Sequence, residues 1–388
     1  MTVPGIGRLL GADEGLNHQI ADTFATIAQT DISWTEKIWT SLFKTDGSLQ
    51  VSLGVGRYHN RGVFDGFGGV ARGREQWTVR GSRALASAPE AASVGPISYE
   101  IIEPLSKVRV ILEPNDVQPI SFDLTLEGVL PPFCEARNHT RDSVGRIETD
   151  VVRYHQGGRV SGTLTIEGKT HEVRPDEWFG FRDHSWGVRQ AVGVEPPDLA
   201  PKMKALTVGI PSVMHWVPLS LQRPDGSCYE SAFFYFGMSE YDLTFFSAFI
   251  NEADGRQDPV RSIQSHMGYS NETRYLEAGE IHMEMGSGVT RVLQVEPIGD
   301  IGFFLRTAGY GAWKEAVHGA WRGELELDGE YIADCFSDEM RPQLGQFRDR
   351  PVRVREGDAV GYGIFESIIT GAWPKYGLTA ESDLPQGF

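Results

Sequence analysis

From Ser33 onward the chain keeps returning to one pattern: alternating apolar and polar residues stopped by a tight-turn pair. Asp46-Gly47 leads into Leu49, Val51, Leu53 and Val55, and Pro224-Asp225-Gly226 and Asp254-Gly255 play the same part later. Asp-Gly pairs supply the positive φ that two-residue hairpin turns require. Gly157-Gly158 and Gly168-Lys169 read as further turn tips between adjacent antiparallel strands. Hairpins at this spacing, with no helical pattern of comparable length, predict an all-β chain of barrel or sandwich architecture. The 45 glycines and 20 phenylalanines fit many tight turns and many aromatic strand positions. One stretch departs from the rhythm: residues 16–30 could form an amphipathic helix with Ile20, Phe24 and Ile27 on one face.

A chain of 388 residues is long for one core, so two units are expected. The reading is an N-terminal arm over 1–30, a first β unit over 31–190 and a second over 205–376. Residues 191–204, rich in proline, read as a linker or crossover, and 377–388 as a tail. A faint echo between Arg159–Gly168 and Trp321–Gly329, each a polar strand ending in an acidic residue and glycine, hints at related halves.

Charge and motif content narrow the function. Lys plus Arg total 36 against 53 Asp plus Glu, a net −17 that disfavours nucleic acid and anionic membrane as partners. Cys134, Cys228 and Cys335 are too few and too scattered for a disulfide framework, which points to a reducing, cytoplasmic setting. The N-terminus shows no charged start followed by an apolar run, so no signal peptide is expected. The ten histidines show no metal-binding spacing, so no metal is expected. No glycine-rich nucleotide loop and no GxSxG elbow occurs, so no nucleotide cofactor is expected either.

The densest polar–aromatic stretch is Trp178–Arg189, WFGFRDHSWGVR, close to the middle of the chain. His184 can exchange protons near neutral pH, and Asp183 is the nearest carboxylate. On an extended strand, however, neighbours point to opposite faces. Arg182, His184 and Trp186 should share one face, with Asp183 and Ser185 on the other. Either the run is catalytic or it is a polar clamp at the seam between the units. A second cluster comprises Arg57, Tyr58, His59, Asn60 and Arg61 with Asp65, either a turn or the rim of a ligand site. A third, Tyr310, Trp313, His318, Trp321 and Arg322, is either aromatic core or the wall of a flat apolar pocket. A fourth, Glu135 and His139 with Arg137 and Arg141, lies in a long loop over Pro131–Gly145. Catalytic candidates are therefore His184, Tyr58, His59 and Asp183. Substrate-binding candidates are Arg182, Trp186, Arg57, Tyr310, Trp313, His318 and Trp321.

The run Arg182-Asp183-His184-Ser185-Trp186-Gly187, with Arg189 two residues on, resembles the mid-chain motif of the two-domain lipocalin-like family. That family includes carotenoid 1,2-hydratase-like proteins, AttH-type proteins and fungal Diels–Alderases. The resemblance extends by pattern over about residues 30–375, and its motif is closest to a bacterial branch carrying RDHSWGxR. It implies two lipocalin-like barrels around an apolar ligand cavity. Ser185 stands where the hydratase-type motif carries glutamine or glutamate, so hydratase chemistry does not carry over residue for residue.

The expectation is a cofactor-independent lyase-type enzyme acting on an apolar aromatic or terpenoid molecule by proton transfer. A carrier of hydrophobic metabolites and a pericyclase acting by positioning are the alternatives. A homodimer is compatible with either.

Overall fold

The computed structural model describes residues 2–3, 7–9, 11–14, 16, 18, 21–142, 144–194, 196–198, 211–239 and 242–380. The chain is almost entirely β, in two large sheets with a packed seam between them and a two-stranded pair of Thr2–Val3 with Gly7–Arg8. Ten principal strands build the first sheet: β1 (Trp34–Lys44), β2 (Gln50–Tyr58), β3 (Val63–Arg72), β4 (Glu75–Ala84), β5 (Ile97–Glu103), β6 (Lys107–Leu112), β7 (Ile120–Gly128), β8 (Ile147–Ile166), β9 (Trp178–Val188) and β16 (Leu325–Ile332). The second contains β10 (Ser212–Gln222), β11 (Cys228–Ser239), β12 (Asp242–Glu252), β13 (Gln257–Tyr269), β14 (Leu276–Met285), β15 (Thr290–Pro297), β17 (Arg348–Glu356) and β18 (Ala359–Thr370).

In the first sheet the order is β16-β4-β3-β2-β1-β9-β8-β7-β6-β5, curled into an open half-barrel. Its concave face buries Leu42, Val51, Leu53, Val79, Leu112, Leu124 and Leu164. The second sheet runs β15-β14-β13-β12-β11-β10-β18-β17 and closes because β15 pairs back to β17, for example Val295 with Val354. Closure removes both exposed edges. The barrel is filled by Val217, Leu219, Phe233, Ile250, Ile281, Met283, Leu293 and Phe365. A third apolar cluster, Trp39, Phe43, Phe67, Phe179, Phe181, Trp216, Phe303 and Ile364, joins the convex face of the first sheet to the outside of the barrel.

Several sequence expectations change here. Residues described within 16–30 form bends and turns rather than a helix, while Ile20 lies outside the described residues. Polar side chains capture that backbone first: Asp13 accepts from the Phe24 amide, and Asn60 donates to the Gln29 and Asp31 carbonyls. Gly157-Gly158 is no turn, because β8 runs straight through it. A side chain at Gly158 would meet the Glu127 carbonyl at 2.4 Å, so close strand approach explains the glycine. The long loop over Pro131–Gly145 contains two short strands, Phe133–Cys134 and Asn138–Arg141, both paired to β8. Half of the 191–204 stretch lies outside the described residues.

The largest change concerns 205–376, which is not a self-contained unit. Its segment β16 leaves the barrel and pairs along all of its length with β4, from Leu325 with Arg83 to Ile332 with Gln76. Arg80, buried on β4, ties it down through Asp328 (2.9 Å) and Glu330. Asp328-Gly329 therefore lies inside a strand, and its likeness to the Glu167-Gly168 turn does not extend to structure.

Candidate active site

Register sets out the seam. One row across five antiparallel strands reads Arg153 (β8), Ser185 (β9), Lys37 (β1), Gly56 (β2) and Asp65 (β3). The next row reads His155, Asp183, Trp39, Gly54 and Phe67. Paired residues point the same way, so both rows face the barrel. A side chain at Gly56 would strike the Tyr58 hydroxyl at 2.5 Å, which places that hydroxyl in the row between Lys37 and Asp65.

The other half supplies the opposite wall. Tyr310 lies across Lys37, whose Nζ is 3.9 Å from the ring centroid. Tyr310 meets His318 edge-on at 4.4 Å, and His318 stacks over Tyr58 at 6.5 Å. His318 Nδ1 is 3.4 Å from Asp65 Oδ2, which also accepts the Gly319 amide at 2.8 Å. Gly319 has φ of 73° and its Cα faces the Tyr58 ring, where an added Cβ would come within 2.6 Å. Only glycine fits that conformation and that contact. Along the second row, Trp39 Nε1 donates to Asp349 Oδ2 at 3.0 Å and packs edge-on against Trp216 at 5.1 Å. Arg153 lies over Trp216 and Phe234, 3.1 Å from Asp183 and 3.7 Å from Glu135. A narrow crevice lined by Glu135, His155, Trp216, Phe234 and Ser247 opens beside it.

Burial displaces the protonation equilibria of this cluster. His318 is pushed down to about 4 by burial and by the Lys37 charge, against the pull of Asp65. Lys37 is pushed down to about 7 by burial and by Arg189. Tyr58 and Tyr310 rise well above the usual phenol range because they are buried. Asp349 and Glu366 form a buried carboxyl pair: burial raises both, Asp349 well above the carboxylate range and Glu366 to about 7. The pair thus keeps a proton at neutral pH, where isolated carboxylates would hold none. Displaced equilibria of both signs in one buried place mark functional sites more often than chance would. Polar atoms without a hydrogen-bond partner among the described residues gather here too: Asp65 Oδ1, His318 Nε2 and Arg189 Nε. Native interiors satisfy most such atoms, and several left open together mark a place where a polar ligand or water belongs.

The Glu366 displacement has a measurable consequence for stability. Its folded value lies above its unfolded one, so its contribution is fully present below about 4.5 and is lost as pH rises through about 7. Glu366→Gln should therefore flatten the decline in urea midpoint between those pH values. An unchanged slope would contradict the assignment.

The structure brings together Tyr58, Tyr310, His318 and Asp183 from the sequence candidates. His184, Arg182 and Trp186 lie on the concave side, as strand alternation predicts. There Arg182 donates to Gln156 (2.9 Å) and sits 3.2 Å from the Tyr99 hydroxyl. His184 bridges Glu36 (2.9 Å) and Tyr154 (3.1 Å). His184→Ala should cost about 1 kcal/mol of stability from lost hydrogen bonds and leave chemistry at the seam intact. A collapse of turnover with a stable fold would move the site to the concave face. His59 and Arg57 are away from the seam, in and before a short 3-10 turn, and Arg57 donates to the Pro89 carbonyl. Trp313 is core, packed with Phe304, Ile332 and Leu344, and Trp321 is exposed. His139 and Arg137 pair with Asp150 at the surface, whereas Glu135 reaches the seam and accepts from Trp216 Nε1 at 2.6 Å. Sequence reasoning missed Lys37, Arg153, Asp349 and Glu366. Lys37 carried a usable signal, since it shares a face with Trp39 and Phe43 where a charge is out of place. Among the described residues, no group of three or more His, Cys, Asp or Glu could hold a metal. Nor is any helix there long and apolar enough to cross a membrane.

A family model described as a family of unknown function (DUF8625) matches residues 11–379. No curated protein matches the chain. Among solved structures, the chain is similar to an AttH-like protein of Nitrosomonas europaea. That pair shares 14% identity, with 94% of this chain and 98% of that one covered and a TM-score of 0.49. It is also similar to kievitone hydratase of Nectria haematococca, at 12% identity, 86% and 88% coverage and a TM-score of 0.40. CghA bound to Sch210972 gives 10% identity, 87% and 89% coverage and a TM-score of 0.45.

Proposed function

The chain belongs to DUF8625, a family of unknown function, and we propose that the seam between its halves is the active site of a lyase-type enzyme. It adds water to, or removes it from, an apolar aromatic or terpenoid molecule bearing an oxygen function. The observation that carries this reading is His318: buried, anchored on Asp65 through Nδ1, and with no partner for Nε2 among the described residues. A histidine pushed down to about 4 is neutral at pH 7, and a neutral Nε2 beside a carboxylate-held Nδ1 is a general base. Arg189, which donates to Ser185 at 2.7 Å, keeps its Nε free for a developing oxyanion. The Asp349–Glu366 pair holds a proton at neutral pH and is the reservoir from which a departing hydroxyl is protonated. Trp39, Trp216, Phe67 and Tyr310 give the site aromatic walls suited to a flat apolar substrate.

Activity should follow a bell in pH. Rate falls as pH drops through about 4, where His318 takes up a proton, and falls again as pH rises through about 7, where Glu366 gives up its proton. The direct test is to incubate hydroxylated and unsaturated apolar compounds with the protein and follow gain or loss of water by mass. Turnover that disappears in His318→Asn supports the reading. Turnover unaffected by that change sinks it, and tight binding without any change of mass assigns a carrier instead.

A further inference from the structure

We propose that Lys37 is a nucleophile that condenses with an aldehyde or ketone substrate to form an imine at the seam. This rests on the seam being the active site and adds a substrate class, carbonyl compounds, and a covalent step.

Lys44, Lys107 and Lys314 each reach a carboxylate at the surface, at 2.8, 2.8 and 3.1 Å. Lys37 is 4% exposed, yet among the described residues it makes no hydrogen bond and no ion pair. A buried ammonium needs acceptors for its donors, and here Nζ lies over the face of Tyr310. The charged groups around it are Arg189 and Arg153 as well as Asp65 and Asp183, so no carboxylate dominates. Burial, with the flanking Arg189 and Arg153, favours the neutral amine, which is the nucleophile, against the opposing pull of Asp65, Asp183 and the Tyr310 face.

The neighbours needed for condensation are in the same row. Register places Gly56 beside Lys37, and the Tyr58 hydroxyl occupies the space its side chain would fill. That hydroxyl faces the Asp65 carboxylate, and among the described residues His318 Nε2 on the stacked imidazole has no partner. In the step, the Nζ lone pair forms a bond to the carbonyl carbon and the π pair moves to oxygen. Proton transfer from nitrogen to oxygen gives a carbinolamine. Loss of its hydroxyl with one proton, as water, leaves the C=N bond. No oxidant or reductant is consumed. The protonated imine would then acidify the adjacent C–H, which gives His318 a carbon acid within its range as a base.

Trapping tests it with the full-length protein. Wild type is incubated at pH 7 with benzaldehyde and sodium cyanoborohydride, which reduces the imine to a stable amine, and labelled sites are mapped by peptide mass. The expected result is one benzyl group on Lys37, added roughly tenfold or more faster than on surface lysines, whose amines are almost wholly protonated at that pH. Lys37→Arg should lose this label, and Tyr58→Phe should slow it. Label confined to surface lysines, with Lys37 unmodified in folded wild type, overturns the inference. Lys37→Met, which removes the amine but keeps an apolar fill, separates the two readings. Water-loss turnover that survives Lys37→Met but not His318→Asn leaves the acid–base site standing and removes the imine.

Discussion

Replacing His318 with asparagine is expected to lower kcat by roughly 10²–10⁴, the usual weight of a positioned general base, with stability changed by about 1 kcal/mol. Asparagine can still donate to Asp65 and fill part of the slot against Tyr310, so the seam should remain packed. What it lacks is a basic nitrogen at the Nε2 position, the one left unpartnered. Asp65→Asn is the companion. It cannot hold Nδ1–H as a carboxylate does, so the tautomer with a free basic Nε2 loses its support. Both variants should lose rate together while retaining near-ultraviolet circular dichroism. A fully active His318→Asn protein would place the chemistry elsewhere.

The second large effect is structural. Arg153→Met should destabilise the protein by about 3–5 kcal/mol, since removing one member of a buried charge network leaves the others uncompensated. Asp183 and Glu135 are both largely buried and both face Arg153. Methionine would retain some packing on Trp216 and Phe234 but none of the charge. The control is the combination with Asp183→Asn and Glu135→Gln, which removes the stranded carboxylates and should recover much of the loss. Urea midpoints for the single and combined variants would check it, and an Arg153→Met midpoint equal to wild type would show the network to be energetically idle.

How much of this was legible beforehand depends on whether the deciding physics is local. Asp46-Gly47, Pro224-Asp225-Gly226 and Asp254-Gly255 are turns because their own backbone preferences make them so, and each joins the strands expected of it. Gly157-Gly158 and Gly329 look identical in sequence terms. Their reason is a distant backbone pressing close, Glu127 O in one case and Thr78 O at 2.1 Å in the other. Alternation correctly separated Asp183 from His184. Tyr58, Tyr310 and His318 could be singled out by residue type, yet nothing local says they meet. Trp39 and Asp349, hydrogen-bonded across 310 residues of chain, show why the carboxyl pair stayed hidden.

Consider finally the order in which the protein emerges during synthesis. The edge of β4 ends at Ala84 and its partner β16 begins at Leu325, so 240 residues lie between them. At 5–20 residues per second, the earlier strand waits roughly 12–50 s for the later one. Throughout that interval Trp77, which Tyr331 later covers at 4.9 Å, and Arg80, which awaits Asp328 and Glu330, border an open sheet edge. A nascent chain stalled short of β16 would be the species most apt to associate with itself or to engage a chaperone. The half that is made first is thus completed last.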